Sequence, residues 1–300
     1  METIVSYELS ERVRSRWLCG GAGLLALTKP RVALASVLTA VVGYATTPGD
    51  NGLAGGFILT IGAAMAAGGT LAFNQWWERD TDSKMERTRR RPLVSGVLLP
   101  GTALVWSTLL TLAGVILLAL AFNAAAALVA AAICIIYGFI YTPLKRMTRW
   151  ATEVGALSGA LPPLLGSAAA GDLWSPPAVF LGSVLMFWQM PHFFSIGWIY
   201  RDDYRAAGFP LLPVADANGR GTAAWSLGYG VLMSTTVLGA WAYGWTGAVV
   251  GAVGVTGSAA VLWASWRFFR GSGSRDVEAR WLFRAGLFSL SALMVAMLCE

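Results

Sequence analysis

The feature that most constrains this chain is the length of its charge-free apolar runs. Residues 32–49, 51–77, 92–144, 154–171, 173–200, 221–266 and 285–299 contain no Asp, Glu, Lys or Arg. A helix needs about 20 mostly apolar residues to cross a bilayer, and two of these runs are too long for one crossing. The 92–144 run is expected to break near Asn123, and the 221–266 run near Gly244-Trp245-Thr246-Gly247. Splitting both predicts nine transmembrane helices. The runs are continuous rather than alternating, which excludes the strands of a membrane barrel. Only 13% of residues are charged, about half the share of a soluble domain. A soluble enzyme, a disordered chain and a disulfide-built secreted domain are therefore excluded. The three cysteines, Cys19, Cys134 and Cys299, have neither metal nor disulfide spacing. Fourteen Trp and 35 Gly fit a polytopic protein, in which aromatics sit at the interfaces and Gly lets helices approach closely.

The charge distribution predicts the topology. Arg12, Arg14, Arg16, Lys29 and Arg31 precede the first span. Arg79, Lys84, Arg87, Arg89, Arg90 and Arg91 lie between spans two and three, and Lys145, Arg146 and Arg149 between four and five. Arg201, Arg205 and Arg220 lie between six and seven, and Arg267, Arg270, Arg275, Arg280 and Arg284 between eight and nine. These are all 22 basic residues of the chain. The intervening loops carry Asp50 and Asp172, and the sequence ends at Glu300. Cytoplasmic loops collect Lys and Arg, so the N-terminus and the larger loops are predicted in the cytoplasm and the C-terminus on the opposite side of the plasma (inner) membrane. The net charge of +6 then follows from topology, and nucleic acid is not expected as a partner. Residues 1–16 are polar and include Glu2, Glu8 and Glu11, which argues against a cleavable signal or a mitochondrial transit peptide. Residues 1–28 read as a cytoplasmic and interfacial lead-in to a single polytopic domain, 1–300, without a repeat of fixed period.

Acidic residues number only 16, and two predicted cytoplasmic places where they cluster matter. Asn74, Glu78 and Asp82 follow span two without an intervening Gly or Pro. At about 100° per residue they fall at about 0°, 40° and 80° on one helical face, whereas Asp80 falls near 240°. Such a row of oxygen donors suits Mg²⁺, which takes one or two carboxylates and completes its shell with water and substrate phosphate. The second place is Asp202-Asp203, between Arg201 and Arg205, after span six. Arg87, Arg91, Lys145, Arg146, Arg201 and Arg205 surround both. Carboxylate-held Mg²⁺ beside cations is an arrangement that binds a diphosphate and stabilises charge as it leaves. On a membrane-embedded molecule this suggests a polyprenyl diphosphate, its tail in the bundle and its head at the cytoplasmic rim. Solvated loops with local ion pairs are the plainer alternative.

The run Asn74-x3-Glu78-x-Asp80-x-Asp82-x2-Met85-x-Arg87-Thr88-x2-Arg91-Pro92-Leu93 resembles the first acidic motif of the UbiA superfamily of intramembrane prenyltransferases, and is closest to its protohaem IX farnesyltransferase (haem O synthase) branch. Four further stretches resemble that branch. They are Thr28-Lys29-Pro30-Arg31, Tyr141-Thr142-Pro143-Leu144-Lys145-Arg146-x-Thr148, Gly159-Ala160-Leu161-Pro162-Pro163-Leu164-Leu165-Gly166, and Trp188-Gln189-Met190-Pro191-His192-Phe193 with Asp203-Tyr204-x2-Ala207-Gly208 beyond it. The sequence departs from the family where Glu78 replaces the usual Asp, and in its second acidic motif, which is reduced to Asp203 with Asp202.

The resemblance implies an all-α bundle of nine transmembrane helices with a central cavity opening to the cytoplasmic side. The implied reaction joins farnesyl diphosphate to a vinyl group of protohaem IX. Diphosphate departs with Mg²⁺ assistance, an allylic carbocation develops, and water addition gives a hydroxyethylfarnesyl haem. Asn74, Glu78, Asp82 and Asp203 would hold metal and diphosphate. Lys145, Arg146, Arg87 and Arg91 would meet the leaving charge, with Tyr141, Gln189 and Asp202 beside the substrates. Membrane lipid, and a haem A synthase or terminal-oxidase assembly factor, are the further partners implied. His192, the chain's single histidine, reads either as a packed core residue or as a haem ligand or polar contact. Pro191 is expected to kink span six. Glu153 reads as an orienter of Lys145 or Arg149, or as a group acting on the carbocation. Trp76 and Trp77 read as an interfacial belt or as a π-lined wall for a prenyl cation. A quinone-precursor prenyltransferase of the same superfamily, and a transporter or lipid-binding protein, are the competing readings.

Overall fold

The computed structural model describes residues 20–49, 51–271 and 274–300. Arg12, Arg14, Arg16, Cys19, Asp50 and most of the expected lead-in lie outside the described residues. Among the described residues, regular structure is helical throughout. A short α1 (Gly20–Leu27) meets α2 (Pro30–Thr46) at a 47° bend. There follow α3 (Leu53–Asp82), α4 (Pro100–Ala121) and α5 (Ala124–Cys134). A π-helical turn (Ile135–Tyr141) continues α5 into α6 (Thr142–Leu144). Next come α7 (Ala151–Ala160), α8 (Pro162–Ala169), α9 (Pro176–Ile199), the short α10 (Arg201–Ala206) and α11 (Leu212–Ala215), then α12 (Arg220–Ala242), α13 (Ala248–Arg270) and α14 (Arg275–Cys299).

Local chemistry sets these boundaries. Proline opens α2, α4, α8 and α9, where its missing N–H costs nothing. The two expected breaks are present, between Ala121 and Ala124 and between Ala242 and Ala248. Asn123 caps α5 by accepting from the Ala126 N–H at 2.9 Å. Helix α9 runs from Pro176 to Ile199 with Pro191 inside it.

Six helical stretches among the described residues are long and apolar enough to cross a membrane, or seven if the bent α1–α2 pair is one span. On α4, Val105, Leu109, Leu112, Ile116 and Leu120 are exposed at helical spacing, an apolar stripe suited to lipid tails rather than water.

Two core clusters hold most of the packed helices. Val37, Ala40, Leu59, Ala63, Leu118, Ala126 and Leu165 join α2, α3, α4, α5 and α8. Phe180, Leu181, Val184, Met233, Val237, Val261, Leu282 and Leu293 join α9, α12, α13 and α14, and Val42 of α2 packs into this second cluster. Helices α2 and α8 cross at Gly43 and Gly166. A Cβ on Gly166 would overlap the Ala40 carbonyl oxygen, and one on Gly43 the Pro163 carbonyl. Small residues that let backbones touch are how membrane helices gain packing contacts.

Helix α3 has 30 residues, about 45 Å at 1.5 Å per residue. The hydrocarbon core is only about 30 Å thick, so the Asn74–Asp82 end stands at its rim. There Met85, Ala151, Ala207, Phe209 and Leu211 pack with Tyr141, Leu144 and Tyr204, drawing together the segments after α3, α6 and α9. A cavity of about 590 Å³ lies at the other end of the bundle, between Thr47, Asn51, Phe180, Trp245 and Glu300.

Candidate active site

Asn74, Glu78 and Asp82 share one buried face of α3, with exposures of 2%, 3% and 1%. Charges and amides are buried at such depth only with partners, and each of the three has a cation. Glu78 Oε1 accepts from Lys145 Nζ at 2.7 Å, Asp82 Oδ2 pairs with Arg91, and Asn74 Oδ1 accepts from Lys29 Nζ at 2.9 Å. Three cations from three separate segments thus converge on one row of oxygens.

The electrostatics follow from this crowding. Burial and then the nearby Arg91 push the Lys29 ammonium down to about 7, against the pull of Glu78. Burial also opposes the Lys145 charge, but the Glu78 carboxylate overrides it and holds Lys145 well above the usual lysine range. Lys145 further faces the rings of Tyr141 at 5.5 Å and Phe209 at 5.1 Å. Tyr141 is seated by Gly155, where a Cβ would stand 2.7 Å from its ring. Lys29 adopts the left-handed backbone conformation, φ 44°, the only non-glycine to do so among the described residues. A residue held there costs about 1–3 kcal/mol, which the surrounding structure must sustain.

The site fits a hard divalent cation. Asp82 Oδ1 is buried and has no hydrogen-bond partner among the described residues, and the donors are two carboxylates and an amide oxygen one helical turn apart. No group of three His, Cys, Asp or Glu side chains converges among the described residues. Asp203 therefore does not join Glu78 and Asp82 in this conformation, and a cation here would complete its shell with water and phosphate.

The remaining predicted residues divide. Arg87 reaches from the segment after α3 to that after α9, its guanidinium 5.2 Å from the Tyr200 ring and 5.9 Å from the Tyr204 ring, with Tyr204 Oη at 3.5 Å. This is the bridge between the two acidic loops. Asp202 is exposed and pairs locally with Arg205, while Arg201 turns to Asp276 of α14 at 2.9 Å, so neither ion pair of the second cluster reaches the α3 oxygens. Arg146 donates to the Trp77 carbonyl at 3.0 Å and approaches Thr81 Oγ1 at 3.5 Å rather than a carboxylate. Trp77 is 37% exposed and neighbours Phe73 and Trp76. Gln189 bonds the Ala156 and Leu185 carbonyls at 3.1 and 2.8 Å. His192 lies between Trp188 and Phe283, with both ring centroids at 4.8 Å, and its Nδ1 is unpartnered among the described residues. Gln189 therefore faces α7 while His192 faces α14, and neither touches the α3 oxygens. Both Glu153 oxygens are buried without a partner among the described residues; they reach neither Lys145 nor Arg149.

Lys29 and Thr142 stand in the site although spacing on α3 does not mark them. Their one sequence signal is membership of the Thr-Lys-Pro-Arg and Tyr-Thr-Pro-Leu-Lys-Arg stretches.

A helical membrane bundle with an oxygen row and convergent cations at its rim defines a class. The chain belongs to the UbiA prenyltransferase family, whose model matches residues 33–288. Within that class it is 40% identical to a protoheme IX farnesyltransferase of Opitutus terrae over 92% of this chain and 93% of the relative. It is 37% identical to one of Rhodopirellula baltica, over 91% and 98%. Among solved structures it resembles a digeranylgeranylglyceryl phosphate synthase, with TM-score 0.77 and 13% identity over 93% of this chain and 97% of that one. It also resembles a UbiA homolog from Archaeoglobus fulgidus bound to GPP and Mg²⁺, with TM-score 0.69 and 15% identity over 93% and 100%. These two likenesses show the fold.

Proposed function

We propose that this chain transfers the farnesyl group of farnesyl diphosphate to a vinyl group of protohaem IX, as a nine-span protein of the inner membrane with its N-terminus and the α3 rim in the cytoplasm. The carrying observation is the buried row Asn74, Glu78 and Asp82, each oxygen held by its own cation, in a chain 40% identical to a protoheme IX farnesyltransferase along nearly its whole length.

Mg²⁺ held by Asn74, Glu78 and Asp82 would neutralise the diphosphate and assist its departure. Lys145, Arg91 and Lys29 occupy the three oxygens before loading. On loading they turn their N–H groups to diphosphate oxygens, and each donor lowers the cost of the developing charge by about 3 kcal/mol. Arg87 holds the segment after α9 over the site through Tyr200 and Tyr204. The buried faces beneath this rim exclude water until the prenyl group has moved. His192 offers its unpartnered Nδ1 to the haem. The product passes to a membrane partner that consumes haem, a haem A synthase or oxidase assembly factor.

Mass spectrometry of haems extracted from cells expressing the protein tests this reading. A farnesylated haem is expected, and Glu78→Gln and Asp82→Asn should abolish it while the protein stays folded. Prenylated hydroxybenzoate with unmodified haem would instead identify a quinone-precursor enzyme. His192→Ala with an unchanged Soret band and turnover would remove His192 from the haem site.

A further inference from the structure

Asn74 is gripped from two sides. Its Oδ1 accepts from Lys29 Nζ at 2.9 Å, and its Nδ2 donates to Thr142 Oγ1 at 3.2 Å. Thr142 Oγ1 in turn donates to the Tyr137 carbonyl at 2.8 Å. A hydroxyl has one proton. With that proton committed to Tyr137, only a lone pair faces Asn74, and only the NH₂ end of the amide satisfies it. Lys29 Nζ donates an N–H on the other side, and oxygen is what meets it there. A reversed amide would set NH₂ against the donating Lys29 N–H and a carbonyl against a lone pair.

The backbone explains why the Tyr137 carbonyl is available. It ends the α5 π-turn, where its helical partner is the Thr142 N–H five residues on. A carbonyl has two lone pairs, so the second takes the Thr142 hydroxyl. Thr142 is fully buried, and water cannot replace it. Single π-turns are frequent at functional sites; this one fixes the direction of a hydrogen-bond chain that ends on the α3 oxygen row.

We propose that Thr142 is a positioning residue: its hydroxyl, locked by the π-turn, sets the Asn74 amide so that Oδ1 joins Glu78 and Asp82 as a cation ligand. This rests on the metal site proposed above. Partners behind metal ligands typically change metal affinity by about 10–100-fold.

The test is Mn²⁺ binding to the full chain in detergent, followed by electron paramagnetic resonance with inorganic pyrophosphate present. Thr142→Val keeps the shape and loses the hydroxyl, so Mn²⁺ should bind at least about tenfold more weakly. Thr142→Ser keeps the hydroxyl and loses the methyl, and should bind within about twofold of the parent. A packing role predicts the reverse order, and that result would overturn the proposal. Thr142→Ala removes the same hydroxyl and gives the same readout if Thr142→Val is not recovered folded. Glu78→Gln and Asp82→Asn serve as controls: if they too leave Mn²⁺ binding intact, the metal site itself is refuted, not only the role of Thr142.

Discussion

Lys145→Met isolates the strongest electrostatic contact of the site. Lys145 Nζ lies 2.7 Å from Glu78 Oε1, with side-chain exposures of 12% and 3%. Met nearly keeps the stem volume and removes the charge, leaving the Glu78 carboxylate buried without its partner. Breaking a buried pair from one side costs about 3–5 kcal/mol. Lys29 and Arg91 both stand near Glu78 and offset part of that, so the low end, about 3 kcal/mol, is expected. For a chain of this size that is about 6 °C or more in melting temperature. The assay is intrinsic fluorescence of the 14 Trp during heating in detergent with EDTA. Mg²⁺ should then stabilise Lys145→Met more than the parent, because it supplies the missing positive charge to Glu78. Glu78→Gln with Lys145→Met should recover more than half of the loss, since removing both charges of a buried pair is often near neutral. A Lys145→Met melting temperature within about 1 °C of the parent, or a double variant no better than the single, would refute this account of the resting site.

Three further outcomes follow from the same geometry. Arg87→Ala cuts the bridge to Tyr200 and Tyr204; exposed cation–π contacts are worth about 0.5–1 kcal/mol each, so KM for the prenyl diphosphate should rise about threefold or more in steady-state assays with little change in melting. Gly166→Ala puts a methyl into the Ala40 carbonyl and should force α2 and α8 apart, at a cost of about 3 kcal/mol or more, measured by thermal unfolding. Lys29 lies near 7 when folded against an ordinary 10.5, so the unfolded chain binds more protons between those values. Stability of the metal-free protein should therefore rise with pH from about 7 to 9, and Lys29→Met should flatten that slope.

The amino-acid sequence by itself determined the class of the molecule. Charge-free runs force membrane helices, because an unpaired backbone polar group has no partner in lipid. The breaks at Asn123 and at Gly244–Gly247 were legible because a polar cap and two glycines interrupt otherwise uniform apolarity. The row Asn74, Glu78 and Asp82 was legible because helical period is a local property of the chain.

Only the tertiary structure decided which cation meets which oxygen. Lys29 comes from 45 residues away and Lys145 from 67, and no periodicity relates them to α3. It also turned Arg201 to Asp276, Arg146 to the Trp77 carbonyl, and His192 and Gln189 to different helices. Such choices depend on how far each helix slides and rotates against its neighbours, as where Gly43 and Gly166 let α2 and α8 touch. That register is set by side-chain volumes meeting across the bundle, and residues that meet there are distant in the chain.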